Sequence, residues 1–166
     1  TAETPALAAR VVVTRSSEVA ELACKAGVKA ILHSLPGRND TVRLGLEALL
    51  SELPGLAGCI FLPGDQPLLR KESLEAMARD FSALDEKERA ILRLGFRAED
   101  GTERLGSPVL FGSSYFDALC SLPEGKGGGV VIRRHPESVQ AVYAARQEEL
   151  EDADTVEELE RLRKLL

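Results

Sequence analysis

Short apolar runs that alternate with segments of helical spacing constrain this chain more than any other feature. Val11-Val12-Val13 is β-branched and uncharged, the mark of a buried strand. Ser16-Ser17-Glu18 opens a helix over residues 19–26, with a serine cap and Gly27 as its stop. Residues 28–32 read as a second strand. Asn39-Asp40 can cap a helix over 41–53, with Val42, Leu46, Leu49 and Leu50 inward and Pro54-Gly55 ending it. A strand at 59–62 leads through a turn to a helix at 71–83 that turns Leu74, Met77, Ala78 and Phe81 inward. Strands follow at 90–94, 107–111 and 139–144. Helices are expected at 113–122 and 155–166, and a helix or strand at 130–134. Such alternation predicts an α/β fold of three layers, a mostly parallel sheet with helices on both faces.

With 166 residues and no linker or low-complexity tract, one domain over 1–166 is expected. The net charge of −6 argues against nucleic acid or an anionic membrane as partner, because both want a basic surface. A small phosphorylated ligand needs only a local positive pocket and stays compatible. No apolar run approaches the roughly 20 residues that span a bilayer, and no signal-peptide pattern is visible. Cys24, Cys59 and Cys120 are scattered without a C-x-x-C pair, which reads as reduced thiols in a cytoplasmic protein.

Gly64-Asp65-Gln66-Pro67 follows the apolar run Cys59-Ile60-Phe61-Leu62. In parallel α/β sheets, ligands bind outside the carboxyl ends of strands. A carboxylate there suits Mg²⁺, which prefers one or two carboxylates plus phosphate oxygens. Gly64 would let a nucleotide approach the backbone, and Pro67 would fix the turn. Two readings of Asp65 are open on these residues: a metal ligand, or a cap for a helix near Leu68.

The motif is one of four in order. The others are Gly106-Ser107-Pro108-Val109-Leu110-Phe111, Gly125-Lys126-Gly127-Gly128, and Asp152-Ala153-Asp154-Thr155-Val156-Glu157-Glu158-Leu159. Together they closely resemble the MobA-like nucleotidyltransferase family, from about Val11 to the C-terminus. Gln66 after Asp65 most resembles the MocA-type members, molybdenum cofactor cytidylyltransferases and their relatives, which have a Rossmann-like fold. The resemblance implies that Asp65 binds Mg²⁺ with Asp154, or else Asp152, as second ligand. Asp154-Thr155 reads equally as an N-cap, and Val156 stands where the family has Pro. By the same resemblance Gly64, Gln66 and Pro67 lie at the nucleotide, and Gly106 and Pro108 line the acceptor pocket. Lys126, Gly127 and Gly128 would cradle an anion. Arg38, Asn39 and Thr41 would contact base or sugar, with Thr41 in place of the family's Ser. A turn, a solvent loop and a helix cap are the respective rivals. His33 and His135 lack metal-ligand spacing, and Arg133 and Arg134 could meet a phosphorylated acceptor.

The implied reaction is transfer of a nucleoside monophosphate, CMP foremost, from an NTP (CTP or GTP) to a phosphorylated acceptor such as molybdopterin. Pyrophosphate is released, and a molybdoenzyme is a conceivable partner. A guanylyl- or sugar-nucleotide-type transferase, or a degenerate nucleotide- or cofactor-binding module, are the alternatives. The family begins with a strand and a glycine-rich triphosphate loop, roughly Leu-Ala-Ala-Gly-x-Ser-x-Arg-Met-Gly. Thr1 to Arg10 contains nothing like it. The first strand is therefore expected to be missing from this chain, leaving one sheet slot empty and the chain inactive by itself.

Overall fold

The computed structural model describes residues 7–165. Among the described residues six strands form, in chain order: β1 (Val11–Thr14), β2 (Lys29–Leu32), β3 (Gly58–Phe61), β4 (Ile91–Arg97), β5 (Glu103–Gly112) and β6 (Val139–Tyr143). The helices are α1 (Ser17–Lys25), α2 (Arg38–Glu52), α3 (Lys71–Ser82), α4 (Phe116–Cys120), α5 (Gly129–Arg134) and α6 (Val156–Arg163). Each expected element is present, with α4 shorter than the 113–122 segment because its first turn is 3₁₀. Residue 166, the expected end of the last helix, and residues 1–6 lie outside the described residues. Among the described residues no helix is long and apolar enough to cross a membrane.

Strand order refines the expected sheet. β1 and β2 pair in parallel, and a separate sheet has the order β3-β5-β4-β6. There β5 is antiparallel to both its neighbours while β4 and β6 pair in parallel, so the sheet is mixed. The tight β4–β5 connection at Asp100-Gly101, where Gly101 has φ +85°, makes that reversal possible, since a parallel return needs a long crossover. Among the described residues, β1 and β3 each keep one edge without a strand partner.

Alternation along the strands sorts two cores onto opposite faces. Cys59, Ile91, Val109 and Phe111 meet Leu46 of α2, Leu119 of α4 and Val131 of α5. Leu92, Leu94, Leu110 and Val142 meet Met77 and Phe81 of α3. Burial pushes the Cys59 thiol up to about 12, so this cysteine serves as core filling. Helix α2 joins the two sheets: Gly45 lies against Val11 and Val13 of β1, while Leu46 enters the core beside β3.

Candidate metal and nucleotide site

Strand β3 delivers the Gly64-Asp65 turn to the carboxyl edge of its sheet. The helix that follows starts at Lys71, later than a cap at Asp65 would require. Its start is met from elsewhere: Glu149 Oε2 accepts from the N–H of Arg70, the N-cap residue, at 3.2 Å and from the Ser73 hydroxyl. Asp65 therefore does no capping. Its carboxylate is exposed and makes no hydrogen bond or ion pair with any described residue.

Asp154 is freed in the same way. Thr155 is the N-cap of α6, its hydroxyl accepting from the Glu158 N–H at 3.2 Å. Glu158 Oε2 accepts in return from the Thr155 and Asp154 N–H groups, each at 3.0 Å, a capping box. The Thr155 hydroxyl also donates to Glu158 Oε2 at 3.1 Å, and this bond foremost, with those from the two N–H groups, holds the Glu158 carboxyl below its usual range. A depressed carboxyl stabilises above its ordinary pKa, and the contribution fades as pH falls through the lowered value. Thr155→Ala should cost about 1 kcal/mol, a drop of about 3 °C in Tm by thermal melt. Asp154→Asn should leave the melt unchanged, because that carboxylate caps nothing.

The two loops meet directly. Ala153 donates its N–H to the Asp65 carbonyl at 2.8 Å. A cleft of about 380 Å³ opens there, lined by Gly64, Asp65, Pro67, Ala153, Asp154 and Thr155 among others. Asp152 and Gln66 do not line it, and the Gln66 Oε1 is buried without a hydrogen-bond partner. Among the described residues no three His, Cys, Asp or Glu side chains gather into a metal-binding group. Two uncommitted carboxylates fit Mg²⁺ or Mn²⁺ completed by phosphate oxygens and water, and do not fit an all-protein cage.

A second group forms at the start of α2. The helix begins at Arg38, three residues before the expected start, because Gly37 takes the cap position and Asp40 accepts the Gly37 N–H at 3.2 Å. Asn39 is thereby released from capping, and its Oδ1 accepts from the Gly125 N–H at 2.9 Å across 86 residues. Arg38 runs against Gly127, where an added Cβ would come within 2.9 Å of its Cδ. Gly125 has φ +70°, a left-handed value that favours glycine. Arg38 and Lys126 are exposed and form no ion pair with any described residue. The Thr41 hydroxyl lies 3.3 Å from His33 Nε2. No hydrogen bond or ion pair among the described residues joins this group to the Asp65 cleft.

The structure places Gly106 and Pro108 outside the turn that was the rival to an acceptor-pocket lining. They sit within β5, where its register with β4 slips between Arg93 and Gly95, and not in an open turn. Pro108 is buried, and Gly106 packs against Leu150. Proline lacks a ladder donor, so a register slip is where a strand accommodates it. Two charged residues at this edge escaped sequence reasoning. Arg93, half-buried, donates from Nε to the Gly106 carbonyl at 3.3 Å and from Nη2 to that of Leu105 at 3.1 Å; burial lowers its pKa. Glu149 is 1% exposed. Arg93 breaks the apolar 90–94 run and was a detectable signal; Glu149 sits in an acidic stretch that looks like solvated surface.

Solved structures share the fold. A nucleotidyl transferase from Methanothermobacter matches with TM-score 0.73 and 19% identity, over 96% of this chain and 73% of that one. The 4-diphosphocytidyl-2C-methyl-D-erythritol synthase of Anaerococcus prevotii matches with TM-score 0.69 and 12% identity, over 98% and 80%. Rv0371c of Mycobacterium tuberculosis, solved in complex with manganese, matches with TM-score 0.61 and 20% identity, over 94% and 76%. No curated protein matches the chain. The model of the MobA-like NTP transferase domain matches residues 2–140. That span holds both sheets up to the start of β6 and three of the four motifs, all but the one from Asp152 to Leu159, and the chain belongs to the MobA-like NTP transferase domain family.

Proposed function

We propose that this chain folds as one nucleotidyltransferase domain that depends on a divalent metal, with CTP as its NTP and a phosphorylated cofactor precursor such as molybdopterin as acceptor. The observation that carries this reading is the pair of uncommitted carboxylates, Asp65 and Asp154, lining one cleft at the carboxyl edge of β3. Asp65 and Asp154 would hold the metal, which when bound neutralises charge on the phosphate oxygens. The manganese complex of the M. tuberculosis protein supports a divalent ion, and the cytidyl chemistry named for the Anaerococcus enzyme supports CTP. Arg38, Asn39 and Thr41 would face base or sugar, and Lys126, Gly127 and Gly128 the phosphates. Gly64, Gln66 and Pro67 would shape the nucleotide side of the turn, and Gly106 and buried Pro108 the acceptor side. An acceptor phosphate oxygen attacks the α-phosphorus, the bond from α-phosphorus to the bridging oxygen breaks, and pyrophosphate leaves. Such transfer rests on positioning and charge neutralisation, so no protein nucleophile is needed. A cytoplasmic setting, with delivery of the product to a molybdoenzyme, completes the reading.

The alternative reading is a nucleotide- or cofactor-binding module without turnover. The test is pyrophosphate release from CTP, GTP and ATP by the full-length protein, with Mg²⁺ and with molybdopterin as acceptor. CTP-dependent release is expected. Metal-dependent nucleotide binding without release selects the binding module, and absence of both metal and nucleotide binding overturns the two readings together.

A further inference from the structure

Two ties cross between the segment after β3 and the segment before α6. The outer one joins the Ala153 N–H to the Asp65 carbonyl at 2.8 Å. The inner one joins Glu149 to the Arg70 N–H and the Ser73 hydroxyl. The pairing is antiparallel: 65 with 153, then 70 and 73 with 149. Asp65 is exposed, so water competes for the outer bond and its net strength is modest. At the inner tie Glu149 and Ser73 are buried, and a carboxylate settles in such a place only where donors meet it. Glu149 forms no ion pair with a described residue, its Oε1 has no hydrogen-bond partner, and the donors to Oε2 come from the N-cap residue and the first turn of α3, the positive end of that helix. Next to it, Leu150 is 2% exposed and anchors the same turn in the core.

We propose that Glu149 is a positioning residue that fixes the spacing of Asp65 and Asp154 by fastening their two loops at a buried root. The proposal rests on the reading of those aspartates as metal ligands, but the fastening itself can be tested without metal. If Glu149 only caps α3, its loss loosens α3 and leaves the outer tie alone. If it fastens the loops, the Ala153 amide opens as well.

The experiment is hydrogen exchange of the Ala153 amide in the full-length protein, taken relative to the core amides of β4 so that a uniform loss of stability cancels. Glu149→Leu should speed Ala153 exchange at least about tenfold. Glu149→Gln, which keeps an acceptor oxygen, should stay within about threefold of the wild type. Ser73→Ala removes one donor only and should give an intermediate increase; it decides the matter if Glu149→Leu does not fold. Unchanged relative exchange at Ala153 in the folded variants overturns the proposal. In parallel, the Mn²⁺ dissociation constant should rise about tenfold in Glu149→Leu and recover in Glu149→Gln, as for groups that orient metal ligands. Mn²⁺ binding that Asp65→Ala leaves intact overturns the metal reading, while Ala153 exchange still judges the fastening.

Discussion

Replacing Asp65 with Ala should weaken Mn²⁺ binding at least about tenfold and reduce metal-dependent turnover by a factor on the order of 10² or more. The melting temperature should stay within about 2 °C, because an exposed carboxylate without a partner contributes little to stability. The split between function and stability is the informative part. In a protein where Asp65 capped α3, the same change would lower the melt by the worth of a helix cap. Here Glu149 Oε2 meets the start of α3, and no described residue bonds the Asp65 carboxylate. Asp154→Asn should behave alike, with Thr155 left to hold α6. Isothermal titration with Mn²⁺ and a pyrophosphate-release assay on the full-length protein measure both effects. Turnover unchanged in Asp65→Ala shows that the metal lies elsewhere.

Gly112→Ala should cost on the order of 3 kcal/mol and lower Tm by about 10 °C, the largest stability loss expected of any single methyl added at a glycine. A Cβ at Gly112 would lie 2.3 Å from the Lys87 carbonyl oxygen, 2.4 Å from that of Glu88 and 2.5 Å from the Glu88 carbonyl carbon. All three are backbone atoms, so no side chain can swing aside. The Gly112 N–H also bonds the Ala90 carbonyl at 2.9 Å, and the Tyr115 hydroxyl bonds that of Arg89 at 2.7 Å, pinning the obstructing turn where β4 begins. Gly64→Ala is the matched control: nothing lies within 4 Å of its added Cβ, so the fold should tolerate it. Thermal or denaturant melts of the two variants make the comparison.

The alternation of apolar runs and helical segments made the elements legible, because each run needs only its neighbours in sequence to be recognised. Ser16, Gly27 and Thr155 act locally, as cap, stop and cap, and were readable for that reason. Asn39 shows where local reading ended. It is a good capping residue beside a helix start, yet Gly37 takes that place and Asn39 reaches Gly125, 86 residues away. The Gly106–Pro108 segment likewise carries turn residues but lies in a strand, since a register slip against β4 absorbs the proline.

What the sequence determined by itself is the set of short-range choices: the strand that delivers Asp65 to a sheet edge, the order of the motifs, and the acidic character that argues against broad polyanion binding. What only the tertiary structure decided is which polar groups are spoken for. The buried Glu149 carboxylate and the Ala153–Asp65 loop tie are settled by partners about 80 residues apart, and a side chain becomes available for chemistry only when other groups have taken its structural work. Glu149 at α3 and Thr155 at α6 do that work here, leaving Asp65 and Asp154 free at the rim of one cleft.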